Sequence, residues 1–179
     1  MQASNKSDAE PGPLQIVLIG RRPKFTLIRI LVLVSAVAVT KYFVLLPIRV
    51  EGISMEPTYR NHKIDCVNRL AYWWHEPHRG DVVAIRYSEP GAFSEPSQML
   101  MKRIIGLPGE SVTFHDGRVY INGRLLDEPY LKTPCDWEHA SIRCGPDEYY
   151  VVGDNRSMPF EYHVQGRASR DRIIGKVLL

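Results

Sequence analysis

Residues 111–126 read SVTFHDGRVYINGRLL, and this stretch decides the fold class. Apolar and polar side chains alternate in 111–115, which is typical of a strand with one buried face. The Asp-Gly pair at 116–117 suits a type I′ turn, and the alternation resumes in 118–121. The Asn-Gly pair at 122–123 supplies a second turn. The stretch therefore predicts consecutive antiparallel strands.

The rest of the chain after residue 50 has the same character. No long stretch shows the 3.6-residue period of an amphipathic helix, and short β-rich runs recur between turn signals. The 13 glycines and 13 prolines among 179 residues agree with many turns. Predicted strands occupy 63–70, 81–87, 100–105, 111–120, 149–152 and 172–179. We expect a mainly β, antiparallel domain over residues 50–179.

Composition narrows the possible classes of protein. A hydrophobic content of 44% with 24% charged residues is ordinary for a globular chain, and a net charge of +3 gives no argument for nucleic acid.

Three cysteines are too few for a disulfide framework. Cys135 and Cys144 either pair in an oxidising compartment or stay free, and Cys66 is expected to be buried. No metal or cofactor is implied. The histidines lack metal-ligand spacing and are expected at the surface: His62, His75, His78, His115, His139 and His163.

A long apolar stretch precedes the β-rich region. Residues 25–50 read FTLIRILVLVSAVAVTKYFVLLPIRV. Their core, 30–48, corresponds to about 29 Å of helix at ~1.5 Å per residue, close to the ~30 Å hydrocarbon thickness of a bilayer. The sequence therefore predicts a transmembrane anchor at 25–49 and a largely disordered, cytoplasmic tail at 1–24.

Charge predicts the orientation of the anchor. Its N-terminal side carries four basic residues: Arg21, Arg22, Lys24 and Arg29. Only Arg49 follows it, so the positive-inside rule places the N-terminus in the cytoplasm and the β domain outside the plasma membrane, in a single-pass arrangement. Two alternatives stay open: a cleaved signal peptide with an A-x-A-like site at 36–38, and a buried core helix.

The first motif with candidate chemistry is GISMEPT at 52–58. It places Ser54 after a glycine that lets the backbone approach a ligand and before a proline that fixes the chain. Serine hydrolysis needs such a hydroxyl together with a base and oxyanion donors. A surface turn is the alternative interpretation.

The second motif, MLMKRIIGLPGE at 99–110, embeds Lys102 in a strongly apolar strand. A lysine pKa is ordinarily ~10.4, and burial among apolar neighbours lowers it because the charged form is disfavoured. A drop of about 2–3 pH units would make the amine a useful base near neutral pH. A lysine facing water is the alternative, and Arg103 is the residue we expect at the surface.

The third motif, YYVVGDNRS at 149–157, runs from a strand into a Gly-Asp-Asn turn and an arginine. Asp154 is suited to pair with a guanidinium and to accept backbone hydrogen bonds, which would brace the loop. An ordinary β-turn explains the same residues.

Taken in order, these motifs resemble the type I signal peptidase family, whose boxes run anchor, S-M-x-P-T, K-R-x-x-G-x-P-G-[DE] and G-D-N-R. The chain has SMEPT at 54–58, KRIIGLPGE at 102–110 and GDNR at 153–156, and it also matches RGDVV at 79–83. The resemblance covers everything from the anchor to residue 179.

The resemblance implies a signal-peptidase-like β catalytic domain behind one transmembrane helix. Ser54 is implied as the nucleophile, with its backbone N–H as an oxyanion donor, and Lys102 as the general base. Asp154 and Arg156 match structural positions near the site, and Gly52 stands where relatives carry a hydroxyl or glycine. The implied activity is removal of signal peptides from exported preproteins at A-x-A-like sites. The implied partners are preprotein signal peptides and the lipid bilayer, not nucleic acid.

One segment departs from the family pattern G-D-N-R-x-x-S-x-D-S-R. The chain reads GDNRSMPFEYH, so Pro159, Glu161 and His163 fall at the serine, aspartate and arginine. That serine lies beside the lysine amine in the family, and Ser157 becomes the candidate to orient Lys102 here.

Two features stay open at this point. The aromatic cluster Tyr72-Trp73-Trp74 is either an interfacial patch at a membrane or packing inside a hairpin core. The function also has alternatives: a self-cleaving repressor-type protease, whose DNA-binding module the anchor replaces, or a membrane-anchored β domain that only binds or scaffolds.

Overall fold

The computed structural model describes residues 23–87, 98–133, 135–163 and 165–178. The chain divides into two compact units, residues 1–42 and 43–179. The described part of the first unit is the helix α1, Pro23–Val39, whose chain continues through one π-helical turn, Thr40–Val44.

The helical segment has the length and composition of a membrane span. Its 21 residues, Lys24–Val44, include three basic side chains but reach a mean hydropathy of 2.0, and none of them is buried. A helix of this length and hydropathy, with exposed apolar side chains, is suited to a lipid environment.

The helix ends earlier than the sequence predicts. Residues 45–49 of the predicted anchor form a strand, β1, Leu45–Arg49, which pairs along its whole length with β2, Ile64–Asn68. Pro47 explains the change, because proline cannot continue a helix but is tolerated in an edge strand. The prediction of helix through residue 48 is therefore wrong after Val44.

The second unit contains two antiparallel sheets. The first has the strand order β1-β2-β11-β3-β4-β9-β10, and the second has the order β7-β6-β5-β8. Every described strand pair is antiparallel, which confirms the predicted fold class. The remaining strands are β3 Val82–Tyr87, β4 Gln98–Gly106, β5 Ser111–His115, β6 Arg118–Ile121, β7 Arg124–Leu125, β8 His139–Arg143, β9 Glu148–Val152, β10 Gly166–Ser169 and β11 Ile173–Leu178.

The two turns of the opening stretch have the predicted geometry. Asp116 and Gly117 have φ values of 49° and 65°, and Asn122 and Gly123 have 51° and 78°. Positive φ at both central residues is what a type I′ turn requires. At Gly117 a side chain would also collide with the carbonyl of Cys135, so glycine is needed there for space as well.

Three apolar clusters form the core of this unit. One lies under the second sheet and contains Phe114, Trp137 and Tyr150. Another lies along β3, β4 and β9 and contains Val83, Ile104 and Val151. The third is built on β1, β2 and β11 and includes two residues of the GISMEPT loop region, Met55 and Tyr59. The core therefore holds the segment around Ser54 directly.

Two predictions about sulfur and imidazole side chains need correction. All three cysteines are free thiols, and Cys66 is half-buried rather than buried. Burial raises the pKa of both Cys135 and Cys144 above the usual thiol value. His163, expected at the surface, is only 3% exposed, because its ring packs edge-on against Trp137 with centroids 5.0 Å apart.

Candidate active site

Ser54 lies in the loop between β1 and β2, and backbone contacts hold it in place. Its carbonyl oxygen accepts a hydrogen bond from the Asn155 N–H at 3.0 Å, and the Asn155 side-chain amide donates to the Ile53 carbonyl, also at 3.0 Å. The next residue, Met55, is 2% exposed and anchored in the core. The loop is therefore fixed from both sides, and its serine is half-exposed.

Lys102 lies on β4, where it is paired with Val83 of β3, and its side chain reaches the serine. Its Nζ donates a hydrogen bond to Ser54 Oγ at 2.7 Å. The lysine is 2% exposed, so the amine is removed from water almost completely. The structure thus brings together the two residues that the sequence assigns to a dyad, across 48 positions of the chain.

Burial lowers the pKa of Lys102 to about 8, and the nearby charge of Asp154 acts in the opposite direction. Desolvation dominates because the charged form loses its hydration without gaining a direct carboxylate partner. With a pKa near 8, about a tenth of the amine is neutral at pH 7, compared with less than about a thousandth for an ordinary lysine.

Asp154 is fully buried and pairs with Arg103. The guanidinium donates to both carboxylate oxygens, at 2.8 Å and 2.6 Å, and also to the Gly80 carbonyl at 2.8 Å. Its plane lies over the Tyr130 ring, 3.9 Å from the centroid. The prediction that Arg103 is a surface charge is therefore wrong: it is 7% exposed and neutralises the acid nearest to Lys102.

Arg156 stabilises the Gly-Asp-Asn turn from the protein interior. It is fully buried, its Nε donates to the Gly153 carbonyl at 2.9 Å, and its terminal nitrogen pairs with Glu128 at 2.6 Å. Tyr130 donates its hydroxyl hydrogen to the same carboxylate, also at 2.6 Å. The sequence does not predict these roles of Glu128 and Tyr130, which follow the β6–β7 hairpin without any local pattern that marks them as partners of Arg156.

Ser157 does not take the place of the missing family serine. It is exposed, and its hydroxyl donates to the side-chain oxygen of Asn155 at 2.6 Å. It therefore supports the residue that holds Ser54, and the described contacts give it no bond to Lys102. Pro159 and Glu161 are exposed.

His163 lies against the turn at Gly153. Its ring lies so close to Gly153 that a methyl group on that glycine would stand 2.6 Å from the imidazole. Gly153 in turn faces the Ser54 carbonyl, so only a glycine fits between the imidazole and the serine loop.

Gly52 adopts a conformation that favours glycine, with a φ of 95°. Open space surrounds the position that a side chain would occupy. Its N–H donates to the Asn61 side chain at 3.1 Å and is already engaged there. Among the described hydrogen bonds none involves the Ser54 N–H, which leaves that donor available to a ligand.

A cleft of about 230 Å³ opens beside the dyad, and Ser54 and Lys102 form part of its wall. The other walls combine Arg49, Glu51 and Gly52 with apolar side chains from β1, β3, β4 and the serine loop: Pro47, Ile48, Val50, Met55, Ala84, Met99, Leu100 and Met101. Among the described strands, β1 is an outer strand of its sheet, and β4 residues 98–102 pair only with β3, since β9 first meets β4 at Arg103. Two strand edges therefore border the cleft.

The described residues include one group with metal-ligand chemistry. The side chains of His115, Asp116 and Glu138 place their donor atoms within 4.8 Å of one another. All three are exposed, and His115 hydrogen-bonds to Glu138 at 3.2 Å. They belong to the second sheet and its neighbouring loop and contribute nothing to the cleft at the dyad.

The sequence of this chain is similar to those of known proteins. Residues 24–179 match the family model described as "Signal peptidase, peptidase S26". Probable signal peptidase I-2 of Synechocystis sp. is 32% identical over 126 residues, which cover 70% of this chain and 58% of that protein. Signal peptidase I of Leptolyngbya laminosa is 35% identical over 128 residues, covering 70% and 63%. Signal peptidase I T of Bacillus subtilis is 33% identical over 158 residues, covering 82% and 78%.

The chain thus spans about six tenths of the length of the first two relatives. The family model nevertheless matches nearly all of its described residues, including the motifs at Ser54, Lys102 and Asp154. The chain belongs to the signal peptidase family, peptidase S26.

Proposed function

We propose that this chain is a membrane-anchored serine endopeptidase that removes signal peptides from exported preproteins, with Ser54 as nucleophile and Lys102 as general base. The observation that carries the proposal is the 2.7 Å contact between Nζ and Oγ, made by a lysine that is 2% exposed. A buried amine with a pKa near 8 is a base that is suited to neutral or mildly alkaline pH.

The reaction begins from the neutral amine. In that state the Ser54 hydroxyl donates its hydrogen bond to Nζ, and the amine takes the proton as Oγ attacks the scissile carbonyl. The Ser54 N–H stabilises the resulting oxyanion. The ammonium then protonates the departing amine of the mature protein, and the acyl group stays on Oγ. Lys102, neutral again, activates the water that releases the signal peptide.

The turn at 153–156 keeps this geometry during the reaction. Asn155 fixes the Ser54 and Ile53 carbonyls, so the serine N–H points in a constant direction. Arg103 neutralises Asp154, and burial lowers the Lys102 pKa more than the charge of Asp154 raises it. Both effects favour a neutral base next to a preorganised hydroxyl.

The cleft fits the proposed substrate class. Its volume of about 230 Å³ and the apolar side chains in its walls suit small side chains, as A-x-A-like sites require. The unpaired edges of β1 and β4 would let an extended peptide add as a further strand. Backbone hydrogen bonds would then align the peptide, and the pockets would select its small residues.

The helix Lys24–Val44 provides the anchor in this proposal. The basic residues before and within its first turns support, by the positive-inside rule, a cytoplasmic N-terminus and a catalytic unit outside. Substrate and enzyme are then held at the same membrane, which raises their effective concentration.

The test compares the full chain with Ser54→Ala and Lys102→Ala in cleavage of a preprotein in detergent micelles. Loss of the general base is expected to reduce the rate by about 10²–10⁴-fold or more, and loss of the nucleophile at least as much. Lys63→Ala is the matched control, since Lys63 is exposed and outside the cleft. Equal cleavage by all four proteins would refute the dyad. Signal-peptide binding without any cleavage would support a non-catalytic β domain instead.

A further inference from the structure

The imidazole of His163 and the carbonyl of Ser54 both lie against Gly153. A methyl carbon added to that glycine would stand 2.6 Å from Cε1 and 2.8 Å from Nε2 of the imidazole, and it would also collide with the Ser54 carbonyl oxygen. The small space beside Gly153 is therefore bounded both by the ring and by the backbone of the proposed nucleophile. Through this one glycine the ring is in reach of the serine loop.

Contacts with an aromatic cluster fix the position of the ring. The His163 imidazole is buried and packs edge-on against Trp137, with centroids 5.0 Å apart. The His163 backbone N–H donates to the Phe160 carbonyl at 3.2 Å, which closes the short 3₁₀ turn Phe160–Tyr162. Phe160 packs edge-on against the same indole, with centroids 5.3 Å apart. A ring held in this way by close-packed neighbours has little freedom to move away from Gly153.

The turn that the imidazole contacts is the turn that holds Ser54. The Asn155 N–H donates to the Ser54 carbonyl, and its side-chain amide donates to the Ile53 carbonyl, both at 3.0 Å. The Ile53 carbonyl and the Ser54 N–H belong to one planar peptide unit, so a bond to the first fixes the direction of the second. Without the ring, Gly153 could move into the vacated space, and Asn155 would be carried away from both carbonyls.

We infer that His163 is a positioning residue for the proposed reaction. Its imidazole keeps the turn at 153–155 against the serine loop, and it thereby keeps the Ser54 hydroxyl directed at Lys102 and the Ser54 N–H directed at the oxyanion. It acts through Gly153 and Asn155 and takes part in no proton transfer. The inference rests on the proposed function, because that proposal assigns the reaction to Ser54.

The variants that test this role change how far the side chain reaches. His163→Ala and His163→Val both leave a side chain too short to contact Gly153, and valine fills part of the space beside Trp137, which protects the fold. His163→Gln restores a side chain nearly as long as the imidazole. His139→Ala is the matched control, because the His139 ring stacks on Phe160 in the same aromatic cluster, with centroids 4.6 Å apart.

Steady-state cleavage of a signal-peptide substrate by the full chain in detergent micelles is the first measurement. We expect His163→Ala and His163→Val to lower kcat by about 10–100-fold, because a small misplacement of a reacting group is costly. KM should stay within about threefold, since the described residues that line the cleft do not include His163. His163→Gln should recover most of the rate, and His139→Ala should behave like the unmodified chain.

Hydrogen exchange of the Asn155 amide, resolved by NMR on the same full chains, is the second measurement and needs no catalysis. His163→Ala and His163→Val should exchange this amide at least about tenfold faster, because its bond to the Ser54 carbonyl is weakened. The Cys144 amide, which donates to the Glu110 carbonyl at 2.8 Å, is the internal reference and should exchange at an unchanged rate.

An unchanged kcat in a folded alanine or valine variant would overturn the inference. A loss of kcat without faster exchange at Asn155 would overturn it too, and so would an equal loss in His139→Ala, which would indicate general destabilisation of the cluster. If the unmodified chain cleaves no signal peptide, the proposed function fails, and exchange at Asn155 still decides whether His163 holds the turn. The two failures are therefore told apart.

Discussion

Replacing Leu100 by aspartate should raise the pKa of the catalytic amine without touching either member of the dyad. Leu100 stands two residues before Lys102 on β4, and both side chains line the cleft. Residues i and i+2 of a strand point to the same face and lie ~7 Å apart. A carboxylate introduced there would therefore favour the protonated amine.

The size of the effect follows from Coulomb's law. At ~7 Å and an effective dielectric constant of about 20, the attraction is about 2.4 kcal/mol. The cleft is open to water, so we take about half of this value, which moves the Lys102 pKa from about 8 to about 9. Since only the neutral amine reacts, kcat/KM at pH 7 should fall by about tenfold.

The assay is the pH dependence of kcat/KM for a signal-peptide substrate, measured for the unmodified chain, Leu100→Asp and Leu100→Asn. The asparagine variant has nearly the same shape as the aspartate variant and carries no charge, so it reports changes in substrate binding. The unmodified chain should gain activity up to about pH 8 and then level off. The aspartate profile should be displaced upward by about one pH unit and meet the asparagine profile at high pH.

Two results would refute the reasoning. If the aspartate variant loses activity equally at all pH values, the carboxylate disturbs the cleft and does not act on the base. If the apparent pKa stays at that of the asparagine variant although activity is normal, the titrating group is not Lys102.

Further predictions concern the buried ion pairs. Arg103→Met should leave the Asp154 carboxylate unpaired, lower the free energy of unfolding by about 3–5 kcal/mol and raise the apparent pKa of Lys102; adding Asp154→Leu should recover much of both losses. Urea titrations and pH–rate profiles of the two single variants and the double variant measure the coupling, and purely additive effects would contradict it. Glu128→Gln should destabilise the fold by a similar amount, because Arg156 is fully buried with no other carboxylate among its described contacts. Thermal unfolding would check this, and an unchanged midpoint would show that the pair contributes little.

The fold could be predicted where local signals were strong. The Asp-Gly and Asn-Gly pairs specify turns through the positive φ values that they adopt, and alternation specifies the strands beside them. β8 and β10, by contrast, were missed. β8 reads HASIR and is mostly exposed, so it carries no apolar alternation, and it is a strand only because β5 supplies its hydrogen bonds.

The errors in predicting the structure of residues 45–49 and the exposure of His163 have the same cause. The apolar composition of 45–49 is equally compatible with a bilayer and with a sheet, and pairing with β2 decides between them. His163 looks like a surface residue in the sequence, because nothing nearby predicts that Trp137 and Gly153 form its surroundings. The strand at 45–49 and the burial of His163 both depend on contacts between residues far apart in the sequence. The local sequence pattern does not predict such contacts.

In the Lys-Arg dipeptide at 102–103, the burial of the lysine could be predicted from the sequence and the burial of the arginine could not. Neighbouring residues of a strand point to opposite faces, so one cation must point away from the other. We expected the arginine to face water, because a buried guanidinium needs a partner. The partner is Asp154, 51 residues away, and the same turn supplies Asn155 to hold Ser54. Burying the arginine thus neutralises the carboxylate that would otherwise keep Lys102 protonated. The low pKa of one residue in the dipeptide depends on the ion pair made by the other.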